Sequence, residues 1–196
     1  MKRLPPFAFL IFGTATLLAL GCGGNDGDAD TNGSASALTP LPEVSNEPVT
    51  TEDVMALAYK LYLGDGMELD HQRAARLFHK AAANGNSDAQ FALGCMYQNG
   101  QGVDQNYMTA AKWYLKSAQA GNANGQYFIG LSFKEGSGVP KDPIESYKWI
   151  HLAAEQRVKQ EHIDARDQLA LLLTPSVLAE GRRRADQYLM YQGISN

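Results

Sequence analysis

The chain has 196 residues, 44% hydrophobic and 19% charged, with a formal net charge of −4 at pH 7 and only two cysteines. That is enough chain for one domain with a continuous core. The acidic balance argues against nucleic acid as a partner, and two cysteines are too few for a secreted disulfide scaffold.

The first element is a leader. Lys2 and Arg3 precede an apolar stretch, Phe7 to Leu20, too short for an ordinary membrane-spanning helix and laid out as a secretory signal peptide. It ends in Ala19-Leu20-Gly21-Cys22, which resembles the lipobox of bacterial lipoproteins, although leucine is more usual where Ala19 stands. The resemblance implies removal of residues 1–21 and a diacylglycerol on Cys22, the new first residue. Gly23, with no aspartate beside it, resembles the pattern of lipoproteins sent to the outer membrane, so the expected location is the periplasmic side of that membrane. A plain cleaved signal, a retained anchor and a Cys22–Cys95 disulfide are the competing readings.

Residues 22–50 read as a tether. Gly23 to Val49 is rich in Gly, Asp, Asn, Ser and Pro and has no helical or strand period. A flexible chain of that length reaches on the order of 30 Å. Asp28-x-Asp30-x-Asn32-Gly33 matches the opening of an EF-hand calcium loop, but Thr39 stands where the bidentate glutamate belongs and no flanking helix is evident. An acidic, solvated linker is the reading adopted.

From residue 51 the chain repeats. Gly64-Asp65-Gly66, Gly100-Gln101-Gly102 and Gly136-Ser137-Gly138 recur at a step of 36 residues, from 64 to 100 to 136. The columns Asp70/Asn106/Asp142, Leu77/Trp113/Trp149, Phe78/Tyr114/Ile150 and Ala82/Ala118/Ala154 keep the same step. Such a period marks a solenoid whose units bury their apolar faces against one another. In the middle unit Phe91, Leu93, Gly94 and Tyr97 mark one helix, and Ala110, Trp113, Tyr114, Ser117 and Ala118 a second, at i, i+3, i+4 spacing. Gly100 and Gly102 supply the turn between them, with positive φ expected. Asp70, Asn106 and Asp142 stand where a second helix needs an N-cap, and Gly85 and Gly121 are C-cap candidates, a place Arg157 takes in the third unit.

Those columns resemble the Sel-one-like repeat, a relative of the tetratricopeptide repeat. The match runs through Ala89, Leu93, Gly94, Tyr97, Gly100, Gly102 and Val103, then Asn106, Ala110, Trp113, Tyr114, Ala118 and Gly121. It covers roughly residues 53–156, and the first unit departs at Ala58 and Met67, the third at Tyr147 and Arg157. The resemblance implies an all-α solenoid of antiparallel helix pairs, with repeats at 53–88, 89–124 and 125–156. Residues 157–196 are expected to form a capping helix pair that completes a domain spanning 51–196. In that cap, Ile163 to Leu173 has helical spacing, Thr174-Pro175 opens a second helix, and Gln168, Glu180 and Arg182-Arg183-Arg184 should face water.

Signatures of chemistry are missing. The chain has no Ser-x-x-Lys, Gly-x-Ser-x-Gly, P-loop, His-Glu-x-x-His or Cys-x-x-Cys. His79 and His151 share a column two units apart, too distant for a shared metal, and His71 and His162 have no evident partners, so no cofactor, metal or catalytic residue is assigned. Cysteine-rich Sel-one-like proteins linked to β-lactamase activity carry paired cysteines that this chain lacks; a periplasmic hydrolase of that kind is the alternative reading.

The repeats offer a binding face instead. On each first helix a second row lies roughly 120° from the core positions: Met55, Tyr59 and Tyr62; Phe91, Cys95 and Gln98; Tyr127, Leu131 and Lys134. By resemblance to tetratricopeptide arrays this row lines the concave side, where its aromatic residues suit an interface; packing between adjacent first helices is the equal alternative. The expected function is a non-catalytic periplasmic scaffold, lipid-anchored through Cys22, that binds a protein or peptide partner in the cell envelope and no nucleic acid. A permanent structural subunit of an envelope complex is a third reading.

Overall fold

The computed structural model describes residues 50–193, which are all-helical. Helices α1 (Thr51–Leu63), α2 (His71–Ala83), α3 (Ser87–Asn99), α4 (Tyr107–Gln119), α5 (Ala123–Glu135) and α6 (Pro143–Glu155) form three pairs. Helices α7 (Gln160–Leu172) and α8 (Pro175–Tyr191) follow. The leader, Cys22 and most of the expected tether lie outside the described residues.

Helices α1 to α6 each start where a side chain satisfies free N–H groups, whereas α7 and α8 have no such side-chain cap. The carboxylate or amide oxygens of Asp70, Asn106 and Asp142 accept from Arg73, Thr109 and Glu145 N–H at 2.8, 2.9 and 3.1 Å, as the sequence predicts for the second helices. The first helices start likewise, at Thr50, Asn86 and Asn122. They stop at Gly64, Gly100 and Gly136, all left-handed at φ +69, +69 and +77°, a conformation that costs an L-residue energy.

Glycine also sets how closely elements approach. A Cβ on Gly94 would enter the Tyr114 ring, and one on Gly130 would enter the Ile150 side chain, so these positions let α3 and α5 lie directly on α4 and α6. Between repeats, the second glycine of each turn rests on the preceding unit. Gly102 abuts the backbone of His71 and Gly138 that of Tyr107, whereas Gly66, in the first of the described units, meets nothing within 4 Å. At that end α1 carries Asp53 and Lys60, both exposed, where α3 buries Ala89 and Met96, so charged side chains replace core ones there. Beside it Leu57, Leu61, Met67 and Leu69 line a cleft of about 670 Å³.

One column links the layers by hydrogen bonds. Gln90 and Gln126, both buried, donate to the carbonyls of Ala82 and Ala118 on the preceding second helix. His162 occupies the same column in α7 and is 1% exposed, with the Ala153 backbone beside its ring. Helix α7 is therefore a fourth first helix in register, a feature hidden by its lack of a Gly-x-Gly turn. The array ends with α8, which packs on α6, as α7 does, instead of pairing with α7. Gly181 lets α8 approach Tyr147 and the Ile144 carbonyl.

The basic run is partly structural. Arg183 is exposed, but Arg184 is half-buried, bonded to Glu145 on α6 at 2.8 Å and to Glu180 at 2.9 Å, which corrects the expectation that all three arginines and Glu180 face water. Of the tryptophans, Trp149 is 3% exposed and is covered by Tyr188 of α8, with ring centroids 5.1 Å apart. Trp113 has no such cover and lies half-buried against His79 and Lys116.

Candidate functional site

The second row on the first helices is not an open aromatic groove. Met55, Phe91, Cys95 and Tyr127 are 8, 1, 1 and 8% exposed. Phe91 lies between Phe128 of the next first helix, at 5.3 Å between ring centroids, and Tyr114, at 5.9 Å. Tyr127 stacks on His162 of α7 at 4.7 Å. Adjacent first helices come close enough for these large side chains to meet, and the packing alternative describes them. Cys95 is buried with them instead of lining an open groove.

The phenols record the same burial. Desolvation pushes Tyr127 up to about 12, with Glu161 and Glu135 nearby adding to the rise. It also raises Tyr59, followed by the charge of Asp88, and Tyr62, against the lowering effect of Gln101. Tyr59 packs edge-on against Phe78 at 5.0 Å. Tyr62, Gln98 and Leu131 remain half-buried, and Lys134 is exposed.

At the junction between the first two repeats a tyrosine bridges to the next turn. The Tyr62 ring lies 5.2 Å from His71, and its hydroxyl donates to Gln101 Oε1 at 2.7 Å. One step of 36 residues along, the same three columns hold Gln98, Tyr107 and Ser137. The shorter Gln98 and Ser137 cannot bridge the space, and a cleft of about 390 Å³ opens there. Phe128, Leu131, Ser132 and Glu135 of α5 complete its lining.

The lining is held in place from behind. Gln98 Oε1 accepts from Tyr114 OH at 2.9 Å. Gln105 Nε2 donates both to the Gln98 carbonyl, at 2.8 Å, and to Tyr107 OH, at 3.1 Å, which leaves the Tyr107 proton available to an incoming acceptor. Ser132 OH is committed to the Phe128 carbonyl at 2.9 Å. Among the described residues Glu135 has no ion pair. The cleft thus presents the Tyr107 and Phe128 rings and Leu131, the polar groups of Gln98, Ser132 and Ser137, and one carboxylate without an ion pair. Of the residues predicted for the site it brings together Gln98 and Leu131, whereas Tyr107, Phe128, Glu135 and Ser137 escaped the sequence reading. The signal for them was the change from Tyr62 to Gln98 within one column.

The profile of the Sel1 repeat matches residues 54–86, 87–122 and 123–158. The chain belongs to the Sel1 repeat family. Among solved structures, the Sel1 repeat protein from Oxalobacter formigenes is 30% identical, with a TM-score of 0.55, over 60% of this chain and 88% of that one. The protein c5321, described as a protective antigen of uropathogenic Escherichia coli strains with an SLR fold, is 28% identical with a TM-score of 0.67. That match covers 72% of this chain but 30% of the other, so this chain spans under a third of that relative. No curated protein sequence matches. Sel1 repeat proteins are helical-repeat scaffolds that commonly serve protein interaction. Among the described residues no group of three His, Cys, Asp or Glu is placed to hold a metal, and no helix is long and apolar enough to cross a membrane.

Proposed function

We propose that this Sel1 repeat chain is a periplasmic scaffold, anchored to the outer membrane through a lipid on Cys22, that binds a protein or peptide and has no catalytic step of its own. The observation that carries the binding half is the cleft between repeats two and three, a concave site where the Tyr107 and Phe128 rings and Leu131 meet the polar side chains of Gln98, Ser132, Glu135 and Ser137. Tyr62, Gln98, Leu131 and Lys134 form the accessible part of the partner face, and Met55, Tyr59, Phe91, Cys95 and Tyr127 support it from beneath. The anchor rests on Lys2, Arg3, the apolar stretch and Ala19-Leu20-Gly21-Cys22 in the sequence.

A photo-crosslinking side chain placed at Leu131 in intact cells should capture a partner, and one at exposed Lys112 on α4 should not. Equal capture from both positions would assign the partner to another surface. For the anchor, Cys22→Ala should take the protein out of the membrane fraction or stall it as a precursor. Mass analysis of the wild-type amino-terminal peptide should find a diacylglyceryl thioether on Cys22. One sulfur cannot carry both a lipid and a disulfide, so recovery of a Cys22–Cys95 disulfide from cells would refute the anchor.

A further inference from the structure

We propose that the cleft between repeats two and three receives an arginine side chain from an extended segment of the partner; this rests on the scaffold reading above. The argument starts from what the first junction does with the same space. There a tyrosine ring and its hydrogen bond to Gln101 bridge the site from within the chain. At the second junction the columns are shortened to Gln98 and Ser137, so the volume that Tyr62 would occupy is left for a side chain from outside.

Its chemistry selects among side chains. The Tyr107 and Phe128 rings and Leu131 give apolar and π surface, which suits the planar guanidinium and its methylene stem. Glu135 is the last residue of α5, where the carboxylate and the negative end of the helix dipole act together on a cation. That carboxylate has no ion pair among the described residues, and neither Lys134 nor Lys141 neutralises it. An acidic side chain would meet Glu135 as a like charge. A neutral apolar one would leave the exposed carboxylate without the cation its position favours. Arginine satisfies both the walls and the charge.

The test titrates the full chain with two peptides, acetyl-Gly-Gly-Arg-Gly-Gly-amide and its citrulline counterpart, which has the same shape without the charge, and follows the NMR signals of Leu131 and Ser137. The arginine peptide should shift both signals and bind about tenfold more tightly than the citrulline peptide, the size expected of one charge-assisted pair. Glu135→Gln should remove that difference. Gln98→Tyr, which restores the residue the first junction carries, should fold with an unchanged or higher melting temperature and abolish the shifts. Equal binding of the two peptides, shifts confined to other residues, or binding that survives Gln98→Tyr would overturn the inference. Crosslinking at Leu131 separates this from the scaffold reading. Partner capture that persists in Gln98→Tyr refutes the arginine pocket and leaves the scaffold standing, whereas arginine binding without any cellular capture refutes the scaffold alone.

Discussion

Three glycines with one backbone conformation and three surroundings give a direct measure of the contact between repeats. Gly66, Gly102 and Gly138 have φ of +71, +70 and +73°, so alanine at each suffers the same left-handed strain, about 1–2 kcal/mol. Alanine also stiffens the unfolded chain equally at each position, and that effect cancels in the comparison. Only the neighbours differ. The new methyl meets nothing within 4 Å at position 66, but at 102 and 138 it lands on the backbone of His71 and Tyr107, which cannot rotate away as a side chain would. Overpacking of this kind adds about 1–3 kcal/mol. Gly102→Ala and Gly138→Ala should therefore each lose that much more stability than Gly66→Ala. Urea unfolding followed by far-UV circular dichroism reads the difference. In a thermal melt each kcal/mol corresponds to roughly 2–4 °C for a chain of this size. Equal losses at all three positions would mean that these glycines are needed for φ alone and that the repeats do not touch through their turns.

Replacing the two tryptophans should give unequal results. Trp149→Ala should cost about 3–5 kcal/mol through the cavity it leaves, and half-buried Trp113→Ala on the order of 1 kcal/mol, both read by denaturant titration. Burial, and next the charge of Lys159, lower the pKa of His162 against the opposing effects of Glu161 and the Ala153 backbone. Its neutral ring is thus the folded form. The stability it contributes is complete above the ordinary value of 6.5 and is lost as pH falls through the lowered one. His162→Gln, which installs the residue its column carries in repeats two and three, should flatten the fall in melting temperature between about pH 7.5 and about pH 5. His151, lowered chiefly by burial, should contribute a slope of the same sign. An unchanged slope in His162→Gln would place the acid sensitivity elsewhere.

The period, turns and helix caps were legible because each is local. A glycine that must take positive φ and an Asp or Asn that must cap a helix do their work within a few residues, and Asp70, Asn106 and Asp142 cap as expected. The openness of the second row was not local. Whether Phe91 faces solvent depends on how near Phe128 of the next unit comes, and that distance follows from the curvature of the whole array, a sum of small rotations between units. Trp113 and Trp149 share a column, yet only the second is covered, by a helix with no counterpart in the other repeats. The cleft shows the converse case. Its walls come from columns that are individually ordinary, and only the pairing of Gln98 with Ser137 across two units leaves space.

The course of α8 governs how the array comes apart. Its Tyr188 hydroxyl reaches the Gln119 carbonyl at the end of α4 at 3.2 Å, while its ring lies on Trp149 of α6, so one terminal helix is fastened to two successive units. Unzipping from that end must break contacts in both units before either is released, which couples them into one cooperative block. At the opposite end, among the described residues, α1 packs chiefly on α2, and fraying begins there. The solenoid is therefore polarised in its local stability, with the cleft on the side of the tightly coupled block and the segment leading toward Cys22 joined to the looser end.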